Sequence, residues 1–199
     1  MALELPGHGA TPLGASEFGI EAFSSFVLAE LDRRRIARAD FFGYSMGGYV
    51  ALYLALTAPD RSRRVATLGT KLAWTIDGAA REAAMLDAAT IRTKVPKFAA
   101  ALEARHPELG WETLLQRTAA MVRSLGERPL VTPDALARID QPVRIAVGDR
   151  DATVGIEECA AAVRQLRNGE LEVHPRTPHA FEKAPIERVA LSLLEFLAS

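Results

Sequence analysis

Apolar residues recur along this chain in two rhythms. Short apolar runs alternate with longer stretches in which apolar positions return every three or four residues, and the two periods predict buried strands and amphipathic helices. Residues 3–5 read as a strand stub cut off by Pro6-Gly7. Ser16 reads as the cap of a helix that carries Ile20, Phe23, Val27 and Leu31 on one face and ends near Ala37. The run Asp32-Arg33-Arg34-Arg35 suits that end, where cations meet the negative pole of the helix. Asp40-Phe41-Phe42-Gly43 is too short for a helix and rich in aromatics, so it is expected to be a buried strand entering a turn. A second helix should run from about Met46 to Ala58, where Pro59 stops it.

Further strands are expected at residues 65–68, 143–147 and 171–174, with a helix from Ile156 to Arg167 between the last two. Ile186, Val189, Leu193 and Leu197 return at helical spacing near the C-terminus. Strand and helix alternation of this kind predicts an α/β chain, with a mostly parallel sheet flanked by helices on both faces. Residues 71–141 break the alternation. They contain no convincing strand, but Leu114, Leu115, Thr118, Met121, Val122 and Leu125 follow a helical pattern, and Thr132-Pro133-Asp134 supplies a cap and a first-turn proline. The expected division is therefore a core of residues 1–70 and 142–199 with a helical cap inserted at 71–141.

Composition narrows the partners. The 24 basic and 25 acidic residues are well mixed and leave a formal net charge of -1, so there is no basic face for nucleic acid. The single cysteine, Cys159, excludes an intramolecular disulfide and a cysteine-based zinc cluster, and reads as a packing residue on a helix. The first nine residues lack the basic start and apolar centre of a secretory signal, and no apolar run reaches membrane-spanning length. A cytoplasmic protein is expected.

The candidate chemistry lies in Gly43-Tyr44-Ser45-Met46-Gly47-Gly48. A serine hydroxyl attacks an acyl group only when a base takes its proton, and it must stand clear of the sheet to do so. A strand that turns abruptly into a helix places Ser45 there, with glycines two residues to either side leaving room for the turn. The N–H of Met46 then faces a developing oxyanion. Two aspartates compete for the acid, because the strand at 143–147 delivers the chain to Gly148-Asp149-Arg150-Asp151. For the base, His179 lies in the loop after the last strand, whereas His174 is still on that strand. His106 reads as a surface residue and His8 as a structural loop histidine.

These segments resemble the α/β-hydrolase family, in which serine, acid and histidine follow in that order. Leu5-Pro6-Gly7-His8-Gly9 is similar to the loop after the family's fourth strand, and the Ser45 segment to its nucleophile elbow after the fifth. Gly148-Asp149-Arg150-Asp151 is similar to its G-x-x-D acid turn, which favours Asp151, and Thr177-Pro178-His179-Ala180-Phe181 to its histidine loop. The resemblance implies a serine hydrolase with Ser45, Asp151 and His179 as triad, acting on a small-molecule substrate with no metal and no other cofactor. It further implies that the helical insertion forms the acyl pocket, with Trp74, Met85, Trp111 and Met121 as candidate lining residues. It also implies about 60 further residues ahead of Met1, with three strands and the loop that donates a second oxyanion N–H. On this reading the chain is an α/β-hydrolase fold lacking its first strands, and an exposed sheet edge offers a route to homo-oligomers. Two other functions fit the same residues: a catalytically silent homologue serving as a binding module, and a lyase that uses the triad for proton abstraction.

Overall fold

The apolar runs at residues 40–43, 65–68, 143–147 and 171–174 all lie in strands of one sheet. The computed structural model describes residues 1–15 and 17–198, so the cap expected at Ser16 lies outside the described residues. Strands β1 (Ala39–Tyr44), β2 (Ser62–Leu68), β3 (Val143–Gly148) and β4 (Gly169–His174) pair in chain order, every pair parallel. Between them run α2 (Met46–Thr57), the helical segment, and α8 (Ile156–Val163), with α9 (Ile186–Ala198) after β4. The helical segment comprises α3 (Ile76–Met85), α4 (Ala88–Lys94), α5 (Pro96–Arg105), α6 (Trp111–Glu127) and α7 (Pro133–Leu136). No helix among the described residues is long and apolar enough to cross a membrane.

Contacts divide the chain into two compact units, one of Met1–Glu30 with Trp74–Pro129, the other of Leu31–Ala73 with Leu130–Ser199. The sequence placed residues 1–70 with the sheet, whereas the contacts group Met1–Glu30 with the helices.

In the sheet unit, α2 is apolar on nearly every side and is buried from Gly48 to Leu52. The hydroxyl of Tyr49 accepts the N–H groups of Leu130 and Val131 at 3.0 and 2.9 Å. Against the opposite face of the sheet, Leu68 and Ala146 pack with Val189 of α9 and with Ala184, joined by Tyr44 and Leu193. The guanidinium of Arg144 lies 4.8 Å from the Phe196 ring and donates to the Ser192 carbonyl and to Glu170. Cys159 is fully buried on α8, as expected of a packing residue, and burial pushes its thiol up to about 12.

Helix α1 (Ile20–Arg33) buries Ile20, Phe23, Val27 and Leu31, the face expected from their spacing. It stops before Ala37 because Arg35 takes a left-handed φ of 56°. The N–H groups of Ile36 and Arg35 then return to the carbonyls of Leu31 and Asp32, each at 2.9 Å. The arginine run thus forms the closing turn itself.

In the helical unit, α3 and α6 meet along small residues, with Ala79, Ala83, Ala119 and Val122 buried together. A side chain at Gly126 would strike Ala79 and the Thr75 carbonyl. Ile91, Ala99, Trp111 and Leu115 form a second cluster. Residues 3–5 are not a strand. The Leu5 carbonyl instead accepts the His8 N–H at 2.9 Å, beside a tight loop closed by Gly7 and Thr11, so it serves a turn rather than a ladder. His106 is not a surface residue either: it is 8% exposed, and its Nδ1 accepts the Gly9 N–H at 2.9 Å. His8 stacks on Phe18 at 5.7 Å between ring centroids and meets Phe23 edge-on.

Burial holds the pKa of both His8 and His106 below the ordinary 6.5. The unfolded chain therefore takes up protons first as pH falls, and stability present above about 6.5 is lost below it. Exchange of the Gly9 amide should accelerate as pH is lowered from about 7.5 to 5 after correction for intrinsic rates, and His106→Gln should flatten the pH dependence of the melting temperature over that range. A wild-type melting temperature that rises on acidification would refute this assignment.

Candidate functional site

Ser45, Asp151 and His179 each follow the carboxyl end of a strand, respectively β1, β3 and β4. Open α/β sheets place their ligand sites at that end. Ser45 lies between β1 and α2 with φ 51° and ψ -118°, a left-handed backbone for a residue that carries a Cβ. Its N–H still completes the ladder by donating to the Leu68 carbonyl at 2.8 Å, and its carbonyl accepts the Thr70 hydroxyl at 2.9 Å. These bonds hold the turn from both ends.

The glycines around it differ in what they permit. A Cβ at Gly43 would collide with the main chain of Gly47 and Gly48, so the strand and the first turn of α2 close only over a hydrogen atom. The sequence assigned the same role to Gly47, but a Cβ there meets no described atom within 4 Å. The crowded position is Gly48, where a Cβ would strike the Thr70 hydroxyl. Helical rotation turns Gly48 toward the end of β2, while Gly47 faces open space.

The side chains meet in a line. Ser45 Oγ lies 3.2 Å from His179 Nε2, and His179 Nδ1 lies 2.7 Å from Asp151 Oδ2. The Asp151 side chain is only 2% exposed. Its other oxygen accepts the N–H groups of Thr153 and Val154 at 2.8 and 2.9 Å, so the carboxylate is held on both oxygens. The His179 side chain keeps 26% of its surface open.

The competing aspartate has a separate part. Asp149 Oδ1 accepts the Thr177 N–H at 3.2 Å, and the Thr177 carbonyl accepts the Arg150 N–H at 3.2 Å. Gly148 allows this approach, since a Cβ there would collide with the Thr177 carbonyl. Asp149 therefore pins the histidine loop while Asp151 faces the ring.

Two contributors lie outside the residues picked from sequence. Gly69, at φ 61°, passes beneath the Asp151–His179 pair, with an added Cβ only 3.2 Å from Asp151 Oδ2. Thr70, fully buried, holds the Ser45 carbonyl. Their position directly after β2 was a usable signal, since that strand end belongs to the same sheet edge.

Met46 opens α2, and its N–H, like the first N–H groups of any helix, has no helical carbonyl to serve. The expected lining residues all lie in the helical unit. Trp111 is buried with Ile91 and Leu115, under the guanidinium of Arg92 at 5.4 Å. Met121 is buried on α6, Trp74 packs against the Ala79 cluster, and Met85 is 64% exposed. Among the described residues no group of three or more His, Cys, Asp or Glu side chains is placed to hold a metal ion.

Residues 1–169 match a family described as alpha/beta hydrolase fold. A pimeloyl-[acyl-carrier protein] methyl ester esterase from Neisseria meningitidis serogroup C is 48% identical over 62 residues, which is 31% of this chain and 22% of that protein. A 3-oxoadipate enol-lactonase 2 from Acinetobacter baylyi is 35% identical over 74 residues, 34% of this chain and 28% of that protein. The chain thus matches less than a third of the length of either relative. Among solved structures, NosK from Streptomyces actuosus is similar with a TM-score of 0.83 at 22% identity, over 98% of this chain and 83% of that one.

The glycine geometry makes a testable contrast. Gly43→Ala should lower unfolding free energy by about 1–3 kcal/mol through overpacking, whereas Gly47→Ala should leave it unchanged or raise it by up to about 1 kcal/mol because alanine favours the helix. Urea denaturation of the two variants checks it, and equal losses would refute the contrast.

Proposed function

Because the chain belongs to the alpha/beta hydrolase fold family, we propose that it is a serine hydrolase cleaving an ester or related acyl bond of a small molecule. The observation that carries this reading is the unbroken line from Ser45 Oγ through both ring nitrogens of His179 to Asp151 Oδ2. Relatives named as an esterase and an enol-lactonase are in keeping with it.

In the proposed reaction, His179 Nε2 takes the Ser45 proton as Oγ attacks the acyl carbon. Asp151 accepts a hydrogen bond from Nδ1–H, which fixes the tautomer that leaves Nε2 free as a base and stabilises the imidazolium that forms. The negative oxygen of the tetrahedral intermediate faces the Met46 N–H, where the N-terminus of α2 adds a favourable field. Collapse expels the alcohol, which takes its proton from Nε2–H. Water then attacks the acyl-enzyme with His179 again as base, and Ser45 is regenerated with release of the acid.

A fluorophosphonate probe reacts with an activated serine and tests the assignment directly. Labelling is expected in the wild-type chain and should vanish in Ser45→Ala. Asp151→Asn should slow it on the order of 10³–10⁴-fold, because the amide favours the wrong tautomer. Labelling that survives in Ser45→Ala would remove Ser45 as nucleophile. Turnover of a substrate with no trapped acyl-enzyme would favour the lyase reading.

A further inference from the structure

The residue before the serine does more than fill the variable place in the turn. Tyr44 ends β1, and its hydroxyl donates to the main-chain carbonyl of His179 at 2.6 Å. Its ring lies 5.4 Å from the His179 ring and 5.1 Å from that of Phe181, tilted against both. One side chain therefore spans from the strand that carries Ser45 to the loop that carries the histidine. Asp149 and Arg150 tie the main chain of this loop at Thr177, two residues earlier.

We propose that Tyr44 is a positioning residue, whose hydroxyl ties the His179 main chain to the serine-bearing strand and thereby sets the separation of Ser45 Oγ and His179 Nε2. The inference rests on the reading of those two residues as nucleophile and base. Three features favour it. Tyr44 is covalently next to Ser45, so the tie has almost no slack on that side. Its acceptor is main chain, so the bond fixes the loop without competing for the imidazole nitrogens, which face Asp151 and Ser45. Burial, then the nearby charges of Asp151 and Glu182, push the phenol up to about 12, which keeps it a donor at any working pH.

The loss of one such bond is worth roughly a 3- to 10-fold change. In Tyr44→Phe, the second-order rate of fluorophosphonate labelling per folded site should fall by about that factor. A purely structural role would lower the folded fraction and leave the rate per site alone. A second readout does not need a reactive serine: the far-downfield NMR signal of the His179 Nδ1 proton, assigned by its loss in His179→Gln, should exchange with water several-fold faster in Tyr44→Phe. If the variant folds poorly, trifluorotyrosine at position 44 retains the ring and loses the donor as pH is raised, with the same changes expected. Wild-type values for both readouts would overturn the inference. A wild-type chain that shows the Nδ1 signal but takes no label would instead overturn the hydrolase reading, while the dependence of that signal on Tyr44 would still support the tie.

Discussion

Ser45 stands where it does because the main chain reverses from strand to helix within one residue. That reversal demands a left-handed backbone at a residue with a Cβ, a conformation that costs on the order of 1–3 kcal/mol. The hydrogen bonds from Ser45 N–H to Leu68 and from Thr70 to the Ser45 carbonyl are worth about 1–3 kcal/mol together, enough to offset it. The close approach itself is a matter of volume: Gly43 lets strand and helix touch, and Gly48 admits the Thr70 hydroxyl. The strain, the glycines and Thr70 are thus parts of one constraint, and the direction of Oγ follows from it.

The same logic orders the other two loops. Gly148 brings the acid turn against the histidine loop, and the Asp149 carboxylate fastens the two by accepting the Thr177 N–H, which leaves Asp151 to face the imidazole. A carboxylate held by two backbone N–H groups and one imidazole has little freedom to rotate. Pre-set dipoles of this kind need no reorganisation when charge appears on the ring.

The strands and the main site residues were legible because they depend on local patterns. Apolar runs bounded by turn residues marked β1 to β4, and the G-x-x-D acid turn of the resemblance favoured Asp151 over Asp149. The misses share a physical cause. Whether residues 3–5 form a strand depends on a partner for their main-chain groups, and in the folded chain the Leu5 carbonyl turns back to the His8 N–H. His106 looked like a surface residue because the Gly9 N–H that it accepts lies 97 positions away. Gly47 and Gly48 could not be ranked, since their difference lies in which one helical rotation turns toward Thr70. The α1 terminus was overrun because a left-handed Arg35 carries none of the usual glycine signal. Asp149 and Tyr44 were invisible as fasteners for the same reason as His106: their partners come from another strand end.

The fasteners of this site act on main-chain atoms. Thr70 holds the carbonyl of Ser45, Tyr44 that of His179, and Asp149 the N–H of Thr177. Main-chain anchoring leaves His179 Nε2 and the serine hydroxyl free for each other, while Nδ1 is held by Asp151. It also separates two ways of damaging the site. Removing Ser45, His179 or Asp151 deletes a step of the proposed chemistry, whereas loosening Tyr44, Thr70 or Asp149 leaves every reacting atom present at a changed distance. Proton transfer falls off steeply with misplacement of even an ångström, so the second kind of change should reveal itself as a graded loss of rate rather than as an all-or-none one.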